Sequence, residues 1–287
     1  MAALINAILS GMSGAAGACT LKGAQTAGCR MISFGTVFMG TAALCSLAVI
    51  PVFPGMRLMF WSWSLGAGMG LIFIAGLMFT FQANKEGPPS IVWLMVNMGL
   101  IVPIALMAIF YHEPLYLSDI LLMGTFILML WLFRQGISTA GDFSGGRPLY
   151  YVLLLILVFL TNGLLMFGFK LNEILFPAAD KACFLASLYG SGCLLFLSAA
   201  YARHRGRLSQ FHDLKWGMAA GIANVLANLF LQGAMSLPAV VAFPIMQGLS
   251  LLGGVIVTGC FYRERLNGFK AFGIIAGLVV VLQAVFR

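Results

Sequence analysis

Two short stretches decide how this chain folds: Phe110-Tyr111-His112-Glu113-Pro114-Leu115 and, 151 residues later, Phe261-Tyr262-Arg263-Glu264-Arg265-Leu266. Each closes a long apolar run with the same Phe-Tyr-x-Glu-x-Leu pattern. Other marks recur in the same order at nearly the same offset. Gln82 and Gln232 end apolar runs, Pro89 and Pro238 open the next ones, and Gly99 and Gly248 lie inside those. Ser13-Gly14 followed by Lys22 has its counterpart in Asn162-Gly163 followed by Lys170. The ordered set predicts an internal repeat. Residues 1–134 form the first half and 149–287 the second. Residues 135–148, with Gly141, Gly145, Gly146 and Pro148, form a linker loop.

Around these marks the chain divides into apolar runs near 2–21, 31–50, 59–82, 89–110, 117–134, 149–170, 182–201, 215–235, 238–261 and 269–286. A membrane-crossing helix needs about 20 apolar residues, so ten of them consume nearly the whole 287-residue chain. Backbone groups find no water in lipid, which leaves helices or closed barrels as spanning structures. Continuous apolar runs bearing Gly, in place of ten-residue alternation, select helices. Composition agrees: only 8% of residues are charged, against roughly a quarter in a soluble domain. Pro89 and Pro238 suit the first turn of a helix, where the missing N–H would be unpaired anyway. The expectation is an all-α membrane protein of about ten transmembrane helices. Five spans per half is an odd number, so the second half enters the membrane from the opposite side. The two five-helix repeats are then inverted, an arrangement that supports alternating access around a site near the midplane.

The net charge of +8 speaks to topology and not to nucleic acid, because the basic residues sit in short loops. With both termini on one side, twelve of the sixteen Lys and Arg follow helices 1, 3, 5, 7 and 9. The other side holds Arg57, Lys170, Lys181 and Arg287. The positive-inside rule makes the first set cytoplasmic and both termini external. The six cysteines form no CxxC pair and no His stands at ligand spacing, so no metal and no cofactor is expected. Ala16-Gly17-Ala18-Cys19 mimics a lipid-attachment box, but the first basic residue is Lys22, and the stretch reads as part of a mature first helix. There is no GxxxxGK[ST] pattern for ATP.

Polar side chains deep in lipid are costly and face the bundle interior. Asn224, Asn228 and Gln232 stand at i, i+4 and i+8 of the eighth run, along one helix face. Carboxamides both donate and accept, which suits a neutral or zwitterionic cargo; the competing role is hydrogen bonding between helices. Asn97 and Gln247 hold near-equivalent positions of the repeat, Asn162 is a further mid-helix polar group, and Tyr189 is an aromatic residue in the middle of the seventh run. All are candidates for one cavity. Lys22 and Lys170 close repeat-equivalent helices, either to attract an anionic group or to snorkel to the interface, and their place at helix ends favours snorkelling. Glu113 and Glu264 follow their apolar runs and read as caps or ion-pair partners. Trp61, Trp63 and Trp93 fit an interfacial belt. Gly66 with Gly70, Gly217 with Gly221 and Gly273 with Gly277 make small-xxx-small faces for close helix packing.

The repeat, the helix count and the Phe-Tyr-x-Glu-x-Leu helix ends give the chain a family likeness. It resembles the drug/metabolite transporter superfamily, and within it the ten-helix EamA-like permeases. The resemblance implies secondary transport of metabolites, often export of amino acids or amphipathic compounds, without ATP or a bound cofactor. Two features depart from the family. Members are usually drawn with both termini cytoplasmic, against the loop charges here. The single-repeat multidrug relatives carry a membrane-embedded Glu in helix one, and this helix has no acid.

The expectation is a multi-pass protein of the plasma (inner) membrane, not an enzyme. It would export a small polar or amphipathic metabolite, as a monomer in the lipid bilayer, with no nucleic-acid partner. Two rivals stay open: a membrane-embedded enzyme acting on lipid, and a non-transporting assembly subunit.

Overall fold

The computed structural model describes the chain except residues 51–59, 88, 137–147, 177–180, 205–210, 263–267 and 286–287. A few further side chains, those of Lys22 and Lys270 among them, also lie outside the described set. The regular elements are all helices: α1 Ala2–Thr26, α2 Met31–Val49, α3 Phe60–Glu86, α4 Pro89–Met98, α5 Ile101–Phe110, α6 Leu117–Gly136, α7 Pro148–Leu175, α8 Lys181–His204, α9 Phe211–Ala234, α10 Ala239–Tyr262 and α11 Gly268–Val285. Among the described residues, seven spans are long and apolar enough to cross a membrane, with α4 and α5 counted as the single span Ile91–Phe110. Shorter apolar stretches in α6, α10 and α11 bring the set to ten helices. The linker expected at 135–148 lies largely outside the described residues. So does Glu264.

The expected spans differ from the helices in two instructive places. The fourth run is broken at Gly99-Leu100 into α4 and α5. Pro103 has no N–H to return to the Gly99 carbonyl, which instead accepts from Val102 N at 3.0 Å. One turn earlier, Asn162 of α7 donates its Nδ2 to the Val96 carbonyl at 2.5 Å. Inserting a side chain into the ladder is a recognised cause of a helix break. The second difference is α7, which continues to Leu175. Lys170 is therefore inside a helix and not at its end.

Packing follows a regular exchange. α1 lies against α9 and α10, as α7 lies against α3 and α4–α5. α2 packs on α9, as α8 packs on α3. α2 meets α8, and α6 meets α11. Helices α1–α6 and α7–α11 thus interleave. The closest crossings run through glycine. A Cβ at Gly66 of α3 would lie 2.4 Å from the Phe184 carbonyl oxygen, and one at Gly70 would lie 2.3 Å from that of Leu188. In the α2–α9 crossing, a Cβ at Gly221 would come within 2.8 Å of the Phe38 carbonyl oxygen.

Polarity is distributed opposite to that of a water-soluble protein. Leu153, Ile156 and Leu282 are about half exposed on the outside of the bundle, whereas Asn97, Lys170, Asn172 and Gln232 are buried. That pattern suits a lipid surround, where apolar side chains outside cost nothing and polar ones must turn inward.

Candidate functional site

A cavity of about 290 Å³ lies between α1, α2, α3, α4, α7, α9 and α10. Its carboxamides come from spans after the linker: Asn162 of α7, Asn224 and Asn228 of α9, and Gln247 of α10. Four of its five aromatic rings come from spans before the linker: Phe34, Phe38, Phe73 and Trp93. The fifth is Phe169 of α7. No Asp, Glu, Lys or Arg lines it among the described residues. A net charge carried into that space would meet no counter-ion among these residues, which low-dielectric surroundings make costly.

The amide pair on α9 is held in a fixed orientation from behind. Tyr189 is fully buried in the middle of α8. Its hydroxyl donates to Asn224 Oδ1 at 2.5 Å and accepts from Asn228 Nδ2 at 2.5 Å. Asn228 Nδ2 also donates to Asn224 Oδ1 at 2.9 Å. This triangle consumes the oxygen of Asn224 and the nitrogen of Asn228. The Asn224 NH₂ and the Asn228 carbonyl are left to offer the cavity one donor group and one acceptor. Edge contacts of Phe38 and Phe73 with Tyr189, at centroid distances of 6.5 and 6.3 Å, brace the triangle against the aromatic wall.

The other polar wall groups are partly engaged. Asn162 lines the cavity and also pins α7 to α4 through Val96. Gln247 has a sulfur contact, Nε2 to Met166 Sδ at 3.9 Å. Ser10 of α1 donates to the Ala227 carbonyl at 2.7 Å and so ties α1 to α9 at the wall.

Five sequence candidates are placed elsewhere or not placed. Asn97 does not line the cavity. It is buried near the end of α4 and donates back to the Trp93 carbonyl in its own helix at 2.7 Å, a local bond open to short polar side chains. Tyr189 stands behind the wall and not in it. Gln232 is sealed from the cavity, 1% exposed. Lys170 is 6% exposed, so it does not snorkel. Its Nζ donates to the carbonyls of Met235 and Leu237 at 2.9 and 2.6 Å and faces Glu113 Oε1 at 3.6 Å. Burial in the α9–α10 turn replaces the interface as the ammonium's solvent. The Lys22 side chain lies outside the described residues. Glu113 does serve as a cap, with both carboxylate oxygens accepting from Ala239 N, the first residue of α10, at 3.3 and 3.2 Å.

The sequence missed the aromatic wall. Five rings among twenty-four phenylalanines and five tryptophans carry no local signal. Trp93, expected in an interfacial belt, lines the cavity instead. Its place one turn before Asn97, close to the α3–α4 turn, is compatible with either from sequence alone.

No protein-family model matches the chain, and no curated protein matches it by sequence. Among solved structures, one crystal structure of a protein superposes with a TM-score of 0.75 over 99% of this chain and 96% of the other, at 13% identity. At that identity the likeness speaks for the fold alone.

Proposed function

We propose that this protein is a membrane-embedded secondary transporter of the drug/metabolite transporter type, carrying a small, uncharged or zwitterionic, amphipathic metabolite such as an amino acid. The observation that carries the proposal is the composition of the cavity: carboxamides from one half of the chain and four of five aromatic rings from the other, between interleaved helices. A cargo with an apolar face and a hydrogen-bonding edge fits such walls. The exchange symmetry of the packing, in which α1 relates to α9 and α10 as α7 does to α3 and α4–α5, supports two inverted five-helix repeats. The outward apolar faces of α6, α7 and α11 support a multi-pass protein. The loop charges favour an orientation with both termini outside, and the membrane proposed is the plasma membrane.

Ligand-dependent stability of the purified protein tests this. A panel of amino acids, quaternary amines, sugars, nucleosides and organic phosphates is applied, and thermal unfolding is followed. A ligand at a hundredfold excess over its dissociation constant raises stability by about 2.7 kcal/mol. The expected result is a shift from amphipathic neutral or zwitterionic compounds and none from organic phosphates. A shift from phosphates alone would contradict the proposal.

A further inference from the structure

The polar stripe on α9 does not stop at the cavity. Asn224 and Asn228 line it, and Gln232, one turn further on, does not. Both carboxamide atoms of Gln232 are buried without a hydrogen-bond partner among the described residues. An amide left so in the interior is costly, and nothing in this arrangement of the helices makes use of it. Three residues beyond, the Met235 carbonyl accepts from Lys170 Nζ.

The cavity is also asymmetric along the bundle. At one end its wall reaches Leu21 and Phe34, near the α1–α2 turn, and Thr80 and Trp93, flanking the α3–α4 turn. Towards the other end it stops at Phe169 and Leu231. The very next residue of α7 after Phe169 is Lys170. Along α9, Leu231 and Met235 are four residues apart, about 6 Å of helix. The contact of Lys170 with the Met235 carbonyl therefore lies about one helical turn beyond this end of the cavity.

The pair of Lys170 with Glu113 joins four helices at once. Glu113 follows α5 and caps α10; Lys170 belongs to α7 and holds the turn that ends α9. The chain is bent to place Glu113 there. His112 adopts a left-handed φ of 51°, and Glu113 N donates back to the Met107 carbonyl at 3.3 Å. At the same end Lys181 pairs with Glu173 at 2.7 Å and donates to the Gln232 carbonyl at 2.9 Å. Charged groups are a suitable closure for something that opens. Water can replace each of their partners when the helices part, whereas an apolar plug would be exposed at full cost.

We propose that the end of the bundle carrying Lys170 is a gate, latched in this structure by Lys170 and Glu113, and that Gln232 is the polar group the cargo meets next when the gate opens. The proposal rests on the transporter reading above and adds to it which end is closed, by what, and along which face the route continues.

The test of the latch reads accessibility, and cargo exchange by the wild type serves only to separate its failure from that of the transporter reading. The six native cysteines are replaced by serine or alanine, and a single cysteine is introduced by Gln232→Cys. A parallel protein carries Met129→Cys, a fully buried position on α6 outside the cavity wall. Each is reconstituted in liposomes and reacted with a membrane-impermeant methanethiosulfonate. Lys170→Met and Glu113→Gln are compared with the latched protein; glutamine keeps an acceptor for Ala239 N while removing the charge. The expected result is labelling at position 232 at least tenfold faster in both latch variants, with position 129 unchanged. An unchanged rate at 232, or equal acceleration at 129, which marks general loosening, would overturn the latch. If the wild type exchanges cargo across liposomes while 232 stays unreactive in both variants, the latch fails and the transporter reading stands.

Discussion

The triple variant Asn224→Leu, Asn228→Leu, Tyr189→Phe is expected to bind cargo on the order of a hundredfold more weakly than the wild type while unfolding within about 5 °C of it. The argument begins with the triangle. Its internal bonds leave the Asn224 NH₂ and the Asn228 carbonyl for the cavity, and two hydrogen bonds at about 1–1.5 kcal/mol each amount to a factor near one hundred. Replacing the asparagines alone would leave the fully buried Tyr189 hydroxyl only the Asn224 backbone carbonyl, at a long 3.5 Å, at a cost of up to about 1–3 kcal/mol. Removing that hydroxyl as well takes out both sides of each bond, which is close to neutral for folding. Isothermal titration with the ligand that the stability panel identifies, beside a melting curve, checks both halves of the statement. Wild-type affinity in a folded triple variant would remove the α9 pair from the binding site.

Gly66→Ala combined with Gly70→Ala is expected to destabilise the protein by about 2–4 kcal/mol, although alanine is the better helix former. Each methyl would be driven against a backbone carbonyl of α8, at 2.4 and 2.3 Å. Backbone cannot rotate away as a side chain can, so α3 and α8 must separate and lose contacts along the crossing. Gly68→Ala is the internal control. It lies on the same helix, between the two, and a Cβ there meets nothing within 4 Å. That variant should be neutral or more stable by up to about 1 kcal/mol. Chemical or thermal unfolding in detergent compares them. Equal effects of the three substitutions would mean that the glycines serve the helix backbone and not the crossing.

What the sequence could and could not tell follows from the range of the interactions. The helices were legible because apolar length is a local property, and their ends fell within about five residues of the runs read from composition. The break at Gly99 was half legible. Gly99 and Pro103 are in plain view four residues apart, but the third contributor is Asn162 of another helix. Asn224 and Asn228 could be placed on one face by spacing, and they line the cavity together. The same spacing included Gln232, because a helical stripe does not show where a cavity ends. Asn97 looked like the partner of Gln247 by repeat position. Only the fold shows that it bonds its own helix at Trp93. Lys170 was misjudged because what buries it is the pair of carbonyls of Met235 and Leu237, some 65 residues away in sequence. Local pattern predicts elements; contacts between distant helices decide which polar groups work.

The most direct test of the transporter reading is counterflow. Liposomes holding the purified protein are loaded with a high concentration of the unlabelled ligand, diluted, and given a trace of labelled ligand outside, with no ion gradient and no ATP. A carrier that alternates between two faces exchanges one molecule for another. The account predicts that labelled ligand transiently accumulates inside above its external concentration and then decays, and that the triple Asn224, Asn228, Tyr189 variant gives no such peak. Simple equilibration without a peak, from protein that binds the same ligand and is folded, would contradict alternating access.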